Sequence, residues 1–266
     1  MPLAGYEHDA KRDKELPPKK HFKVFYPSAI ESKTDFVLLD VLFERHAAPY
    51  CEPVVIQTPF IVPTREVRVP VPTVDSLLGD KLTAFAPKTI GILYHPLRKI
   101  DIVKQLFDVG ALFDAASDLS VAAEAYAAAH ARQLVYRKAK FTLADTLNDS
   151  IEAAFRLSQL ALRGGKETKE GLLLQEGVGD LQNHLVNQRF RRDEARIAAG
   201  KVACVAAWIQ RQPAGVTLEQ LRFRPARAGE LREAKIQAPW QPLNRLKGGN
   251  MAAFYYWHRA SVLLAQ

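Results

Sequence analysis

The feature that most constrains this chain is a change of period at Thr73. Before it, β-branched and aromatic residues come in short runs broken by Pro, Ser and charged clusters, as in strands. After it, apolar residues recur at helical spacing for most of the remaining sequence. Strands first and helices later argue for an α+β fold rather than an alternating parallel sheet. The strand-like runs are 22–26, 36–43, 54–57 and 67–71. Pro59, Pro63, Pro70 and Pro72 punctuate the later ones and point to edge strands or loops. Residues 1–20 are polar, are closed by Pro17-Pro18, and read as a tail or lead-in. Both alternating faces of 36–43 are apolar, which predicts a strand covered on both sides.

Helix signals then take over. Thr73 suits an N-cap, and Asp75 falls in the first turn, where a carboxylate complements the helix dipole. Val74, Leu77, Leu78, Leu82 and Phe85 form its apolar stripe. A second helix is predicted over 99–113, and further ones over 121–133, 147–162, 194–210 and 251–264. Gly164-Gly165 is placed to end the third of these segments. The expected layout is a mixed sheet with helices up to about residue 118, then a helical region over 119–266.

Lys and Arg outnumber Asp and Glu by 37 to 29, a formal charge of +8, which suits a protein that handles polyanions. Cys51 and Cys204 belong to no metal-type spacing and read as reduced thiols of a cytosolic protein. The sequence has no apolar run of bilayer length and no signal-peptide core at its start. These features predict a cytoplasmic location and no membrane partner.

Three sets of residues could carry chemistry. Asp40 lies on the same strand face as Phe36, Leu38 and Leu42, where a carboxylate is costly without a cation, a metal or several donors. It reads either as a metal-binding acid or as a structural one. Lys81 follows Leu77 by four and Leu78 by three residues, so it sits on the inward helical face. It either snorkels or delivers a cation to bound phosphate. Asp101, Lys104 and Asp108 share one helix face, as a solvated stripe or as part of a site. His21, His46, His95, His130 and His258 show no ligand spacing. Arg189-Phe-Arg-Arg192 and Arg222-Phe-Arg224 mix arginine with an aromatic, which suits either a nucleic-acid contact or a solvated helix face.

The stretch Val71-Pro-Thr-Val-Asp-Ser-Leu-Leu-Gly-Asp-Lys-Leu-Thr-Ala-Phe85, followed by Lys104-Gln-Leu-Phe-Asp-Val109, resembles a motif pair of the AbiEii/AbiGii nucleotidyltransferase toxins. Val37-Leu-Leu-Asp-Val-Leu42 resembles the strand that bears the family's third acid. The resemblance covers about residues 20–115. It implies a nucleotidyltransferase-like core that moves a nucleotide from an NTP to RNA, such as a tRNA end, or to a protein. It further implies Mg2+ as cofactor and a cognate antitoxin as partner. On this footing Asp40, Lys81 and Asp108 are catalytic candidates, with Asp40 as a metal ligand. Lys81, Asp101 and Lys104 are substrate-binding candidates, although Gln105 stands where many relatives have Asp. The family's opening Gly-Gly or Gly-Ser turn and Asp-x-Asp are not in the sequence. The resemblance therefore implies a longer gene product, with these 266 residues alone inactive or nearly so. A non-catalytic basic protein that binds RNA or a partner through the same fold is the competing expectation.

Overall fold

The computed structural model describes residues 3–31, 33–44, 48–57 and 63–266, the side chains of Arg227 and Glu230 apart. His46 and Pro59 lie outside the described residues. The chain divides into two compact units, Met1–Pro72 and Thr73–Gln266. The class is α+β, with the strands in the first unit and the long helices in the second.

The first unit holds β1 (Gly5–His8), β2 (Lys19–Pro27) and β3 (Thr34–Leu42), paired antiparallel in the order β1-β2-β3. A second sheet pairs β4 (Cys51–Val55) with β5 (Arg68–Pro72), also antiparallel. The expected single mixed sheet is thus two small antiparallel ones. No α-helix lies between these strands among the described residues, and a parallel pair needs a crossover that is usually a helix. The segment expected as a polar tail instead supplies β1, with Gly5 opposite Phe25 and His8 opposite Phe22. The apolar content of β1 is a single Tyr6, whose ring meets Phe22 edge-on at 6.2 Å, too little for alternation to register in sequence.

β3 also departs from expectation. It is an edge strand among the described residues, and Phe36, Val37, Leu38, Leu39 and Leu42 are all exposed. Apolar character on two faces shows that burial would be favourable, not that a neighbour supplies it.

The second unit contains α1 (Val74–Ala84), α2 (Lys99–Ala115), α3 (Leu119–Arg137), α4 (Leu143–Ser158), α5 (Lys169–Gln182), α6 (Arg192–Arg211), α7 (Leu218–Leu221) and α8 (Met251–Ala265). Most begin on a side-chain cap. Thr73 accepts from Ser76 N–H, and Thr142 forms a reciprocal capping box with Asp145. The sequence AAGKVACVAAWI makes α6 apolar and small on every side. It is buried all round from Ala198 to Ile209, where only a one-sided stripe was expected. α2, α4 and α8 pack around it.

The packing continues without a break across residue 118. α1 lies against both α2 and α3, in one contiguous hydrophobic core. Gly79 permits the α1–α3 approach, since a Cβ there would fall 2.2 Å from the Ala122 carbonyl oxygen. The C-terminus of α2 is closed by Arg222. Its guanidinium donates to the carbonyls of Phe113, Asp114 and Ala116 at 3.3, 2.8 and 2.6 Å. No helix among the described residues is long and apolar enough to cross a membrane.

Candidate functional site

Lys81 and Asp108 meet at the seam between α1 and α2. The Lys81 Nζ lies 3.0 Å from the Asp108 Oδ2, and Lys104 approaches the same oxygen at 3.4 Å from one turn away on α2. Helical spacing on the inward face directs Lys81 at α2, and the partner carboxylate spares it from snorkelling alone. The Lys81 side chain stays 30% exposed and that of Asp108 22%, so a solute can reach the pair. At that exposure the pair contributes only about 0.2–1 kcal/mol.

Asp101 takes no part in this contact. It pairs with Arg98 one turn earlier and is half exposed. The expected alignment of Asp101, Lys104 and Asp108 on one face therefore resolves into two neighbouring ion pairs along α2.

Asp75, read from sequence only as a dipole partner, carries more than that. Its carboxylate accepts from the Ser117 and Asp118 N–H groups at 2.7 and 3.0 Å and from the Ser117 hydroxyl at 2.9 Å. It thereby ties the start of α1 to the corner between α2 and α3. The motif acid six residues before Lys81 is thus an anchor for the helix that carries the lysine.

Asp40 belongs to the other unit. It lies directly opposite His21 across β2 and β3, and its Oδ1 is 2.6 Å from His21 Nδ1. The His21 hydrogen bond, with Arg12 and Lys19 adding weaker attraction, lowers the Asp40 pKa. His21 is itself buried, and its N–H donates to Asp13, whose other oxygen bonds His8. Sequence reasoning passed over His21 because it sought metal-ligand spacing along the chain. The signal lay across the strands, in a histidine that alternation places opposite an acid. Among the described residues, no three His, Cys, Asp or Glu side chains are grouped to hold a metal ion.

The two arginine-aromatic runs differ sharply. Arg222 is occupied at the end of α2, Phe223 packs on Tyr255 at 5.4 Å, and Arg224 pairs with Glu219. That run is structural. In the other, Phe190 packs edge-on to Phe107 at 5.1 Å and is nearly wholly buried, so the run presents no free-standing surface aromatic. Arg189 pairs with Glu194, whereas the exposed Arg191 and Arg192 guanidiniums have no ion pair among the described residues.

A model of the family described as nucleotidyl transferase AbiEii toxin, type IV TA system, matches residues 4–200. No curated protein and no solved structure matches the chain. The match spans both units and includes Asp40, Lys81 and Asp108, the two latter in direct contact. The chain belongs to the AbiEii nucleotidyl transferase toxin family.

Proposed function

We propose that this protein transfers a nucleotide from an NTP to an acceptor hydroxyl, on RNA such as a tRNA end or on a protein. The observation that carries the reading is the reachable Lys81–Asp108 pair, built from both motif helices, with Lys104 alongside. In the transfer, the acceptor oxygen bonds the α-phosphorus, and the bond from that phosphorus to the pyrophosphate oxygen breaks. Pyrophosphate leaves with the electron pair, and the acceptor gives up its proton. Negative charge builds on the phosphates as this happens, and an ammonium carried on a packed helix stabilises it. Lys81 has that role. Asp108 holds Lys81 in place until phosphate competes for it, and Lys104 and Asp101 flank the same helix face.

The family implies magnesium, with Asp40 among its ligands. The described residues do not fit such a centre. The Asp40 Oδ1 is engaged by His21, and no three His, Cys, Asp or Glu side chains are grouped among the described residues. No step is assigned to the ion. A cognate antitoxin and a cytoplasmic setting complete the reading.

The test supplies the complete gene product with each of the four α-labelled NTPs, magnesium, and RNA or protein acceptors. Label passing to either acceptor bears the proposal out. No transfer from any nucleotide overturns it. Metal-independent, salt-sensitive RNA affinity in that inactive protein would leave a non-catalytic RNA- or partner-binding protein in its place.

A further inference from the structure

A cleft of about 340 Å³ opens in the second unit where α4, α5 and the start of α6 meet. Leu157, Val178 and Phe190 give it an apolar wall, and Gln175 and Gln182 supply amides. The Gln182 amide is committed to the chain, accepting from Phe190 N–H at 2.6 Å and donating to the Gln188 carbonyl at 3.0 Å. Gln175 has no such commitment among the described residues. The exposed Arg191 and Arg192 form the rim, and neither has an ion pair there. Beneath them lies the buried Arg196. Its pKa is lowered first by burial and then by the nearby charge of Arg192. Arg196 pairs with Asp193 at 3.7 Å and Arg189 with Glu194 at 3.2 Å, so four arginines meet two carboxylates at this end of α6 and positive charge is in excess.

We propose that this cleft holds an unpaired nucleotide of an RNA strand, with its base against the apolar wall and its flanking phosphates on Arg191 and Arg192. The volume falls within the range of small-molecule sites. Planar guanidiniums match phosphate oxygens in pairs, and the free Gln175 amide can meet a base edge. A base can enter such a cleft only when it is unstacked, which selects single strands over duplex. No carboxylate lines the cleft, so it offers nothing to the metal that accompanies a triphosphate. Phosphodiesters of a strand are the better match. The proposal deepens the reading of RNA as acceptor by giving the strand a place, but it is tested without NTP and can fail while transfer stands.

Gly179 makes the test selective. It lines the cleft from the interior of α5, and a Cβ there would meet no atom within 4 Å. Gly179→Phe should fill the cleft without disturbing the helix. The measurement is fluorescence anisotropy of the whole chain with a labelled single-stranded oligoribonucleotide of about ten nucleotides. Gly179→Phe should weaken binding by at least about tenfold with an unchanged melting temperature. Arg191→Gln/Arg192→Gln, on exposed side chains, should weaken it similarly. It should also reduce the slope of log affinity against log salt by about 1.4, two phosphates at about 0.7 each. Duplex RNA of the same length should bind less well than the single strand. Unchanged affinity in a folded Gly179→Phe protein overturns the proposal, because binding would then lie outside the cleft. Equal affinity for duplex and single strand overturns it as well, and it needs no variant. Unchanged affinity in the double arginine variant does the same should Gly179→Phe fail to fold.

Discussion

The two units are built on opposite principles. In Met1–Pro72 the one buried residue among those described is a histidine, and the apolar side chains of β3 are exposed. That unit is held by strand hydrogen bonds and by polar pairs such as His21–Asp40. In Thr73–Gln266 a contiguous core runs through α1 to α8, with Trp257, Tyr126, Phe85 and Phe113 fully buried. Burial drives folding in proportion to apolar area, whereas hydrogen bonds exchange with water and add little net. The lesson is that the same density of apolar residues in sequence can describe two very different amounts of core.

The contrast is broken or sharpened first by paired truncations. Phe113→Ala should cost about 3–5 kcal/mol, and Phe36→Ala, already 43% exposed, should cost far less. Urea unfolding of both variants checks this, and equal losses would erase the distinction between the units. Hydrogen exchange should then rank the amides of α6 as the slowest in the chain and those of β3 among the fastest. Fast exchange throughout α6 would break the comparison from the other side.

Arg222→Ala comes next, because it leaves three carbonyls at the end of α2 without their donor. It should cost about 1–3 kcal/mol, read as a lower melting temperature. Lys81→Met should be nearly silent in stability, under about 1 kcal/mol, because Asp108 is partly exposed and keeps Lys104. Transfer activity should nevertheless fall by orders of magnitude. A stable and fully active Lys81→Met protein would remove the lysine from the proposed site.

The smallest effect concerns acid. The folded pKa of Asp40 is below its ordinary value of 3.8, chiefly through the His21 hydrogen bond. A depressed carboxylate stabilises the folded state above the unfolded pKa, and that contribution is lost as pH falls through the folded pKa. Carboxyl titration by NMR should place Asp40 below a free aspartate, and His21→Ala should bring it back up. An unmoved Asp40 in His21→Ala would dismiss the pair as the cause.

Much of the helical unit was legible because its signals are local. Thr73, the Leu77/Leu78/Leu82 spacing and the stripe of α2 lie within a few turns of one another. Lys81 and Asp108 were linked only as catalytic candidates through the motif pair, and the structure makes them a direct pair. What escaped depends on distant segments. Gln182, Arg196 and Arg222 satisfy backbone groups of other segments, which no spacing reveals. The exposure of β3 escaped for the same reason, since alternation reports which side chains favour burial and not where their neighbours are. α5 was hidden in a broad helical stretch because its apolar residues are interrupted by Gly171, Gly177 and Gly179.

Asp75 has a mechanical consequence. It fastens the start of α1 to the corner just past the end of α2, and Lys81, six residues on, fastens α1 to α2 itself at Asp108. The two rivets are about 9 Å apart along α1 at 1.5 Å per residue. One rivet would leave a pivot, whereas two, added to the apolar packing between the helices, oppose rotation of α1 on α2. When phosphate draws Lys81 away from Asp108, the Asp75 anchor and the apolar packing of α1 on α2 remain. Occupancy of the site would then remove a contact of only about 0.2–1 kcal/mol, and α1 would keep its seat while its lysine changes partner.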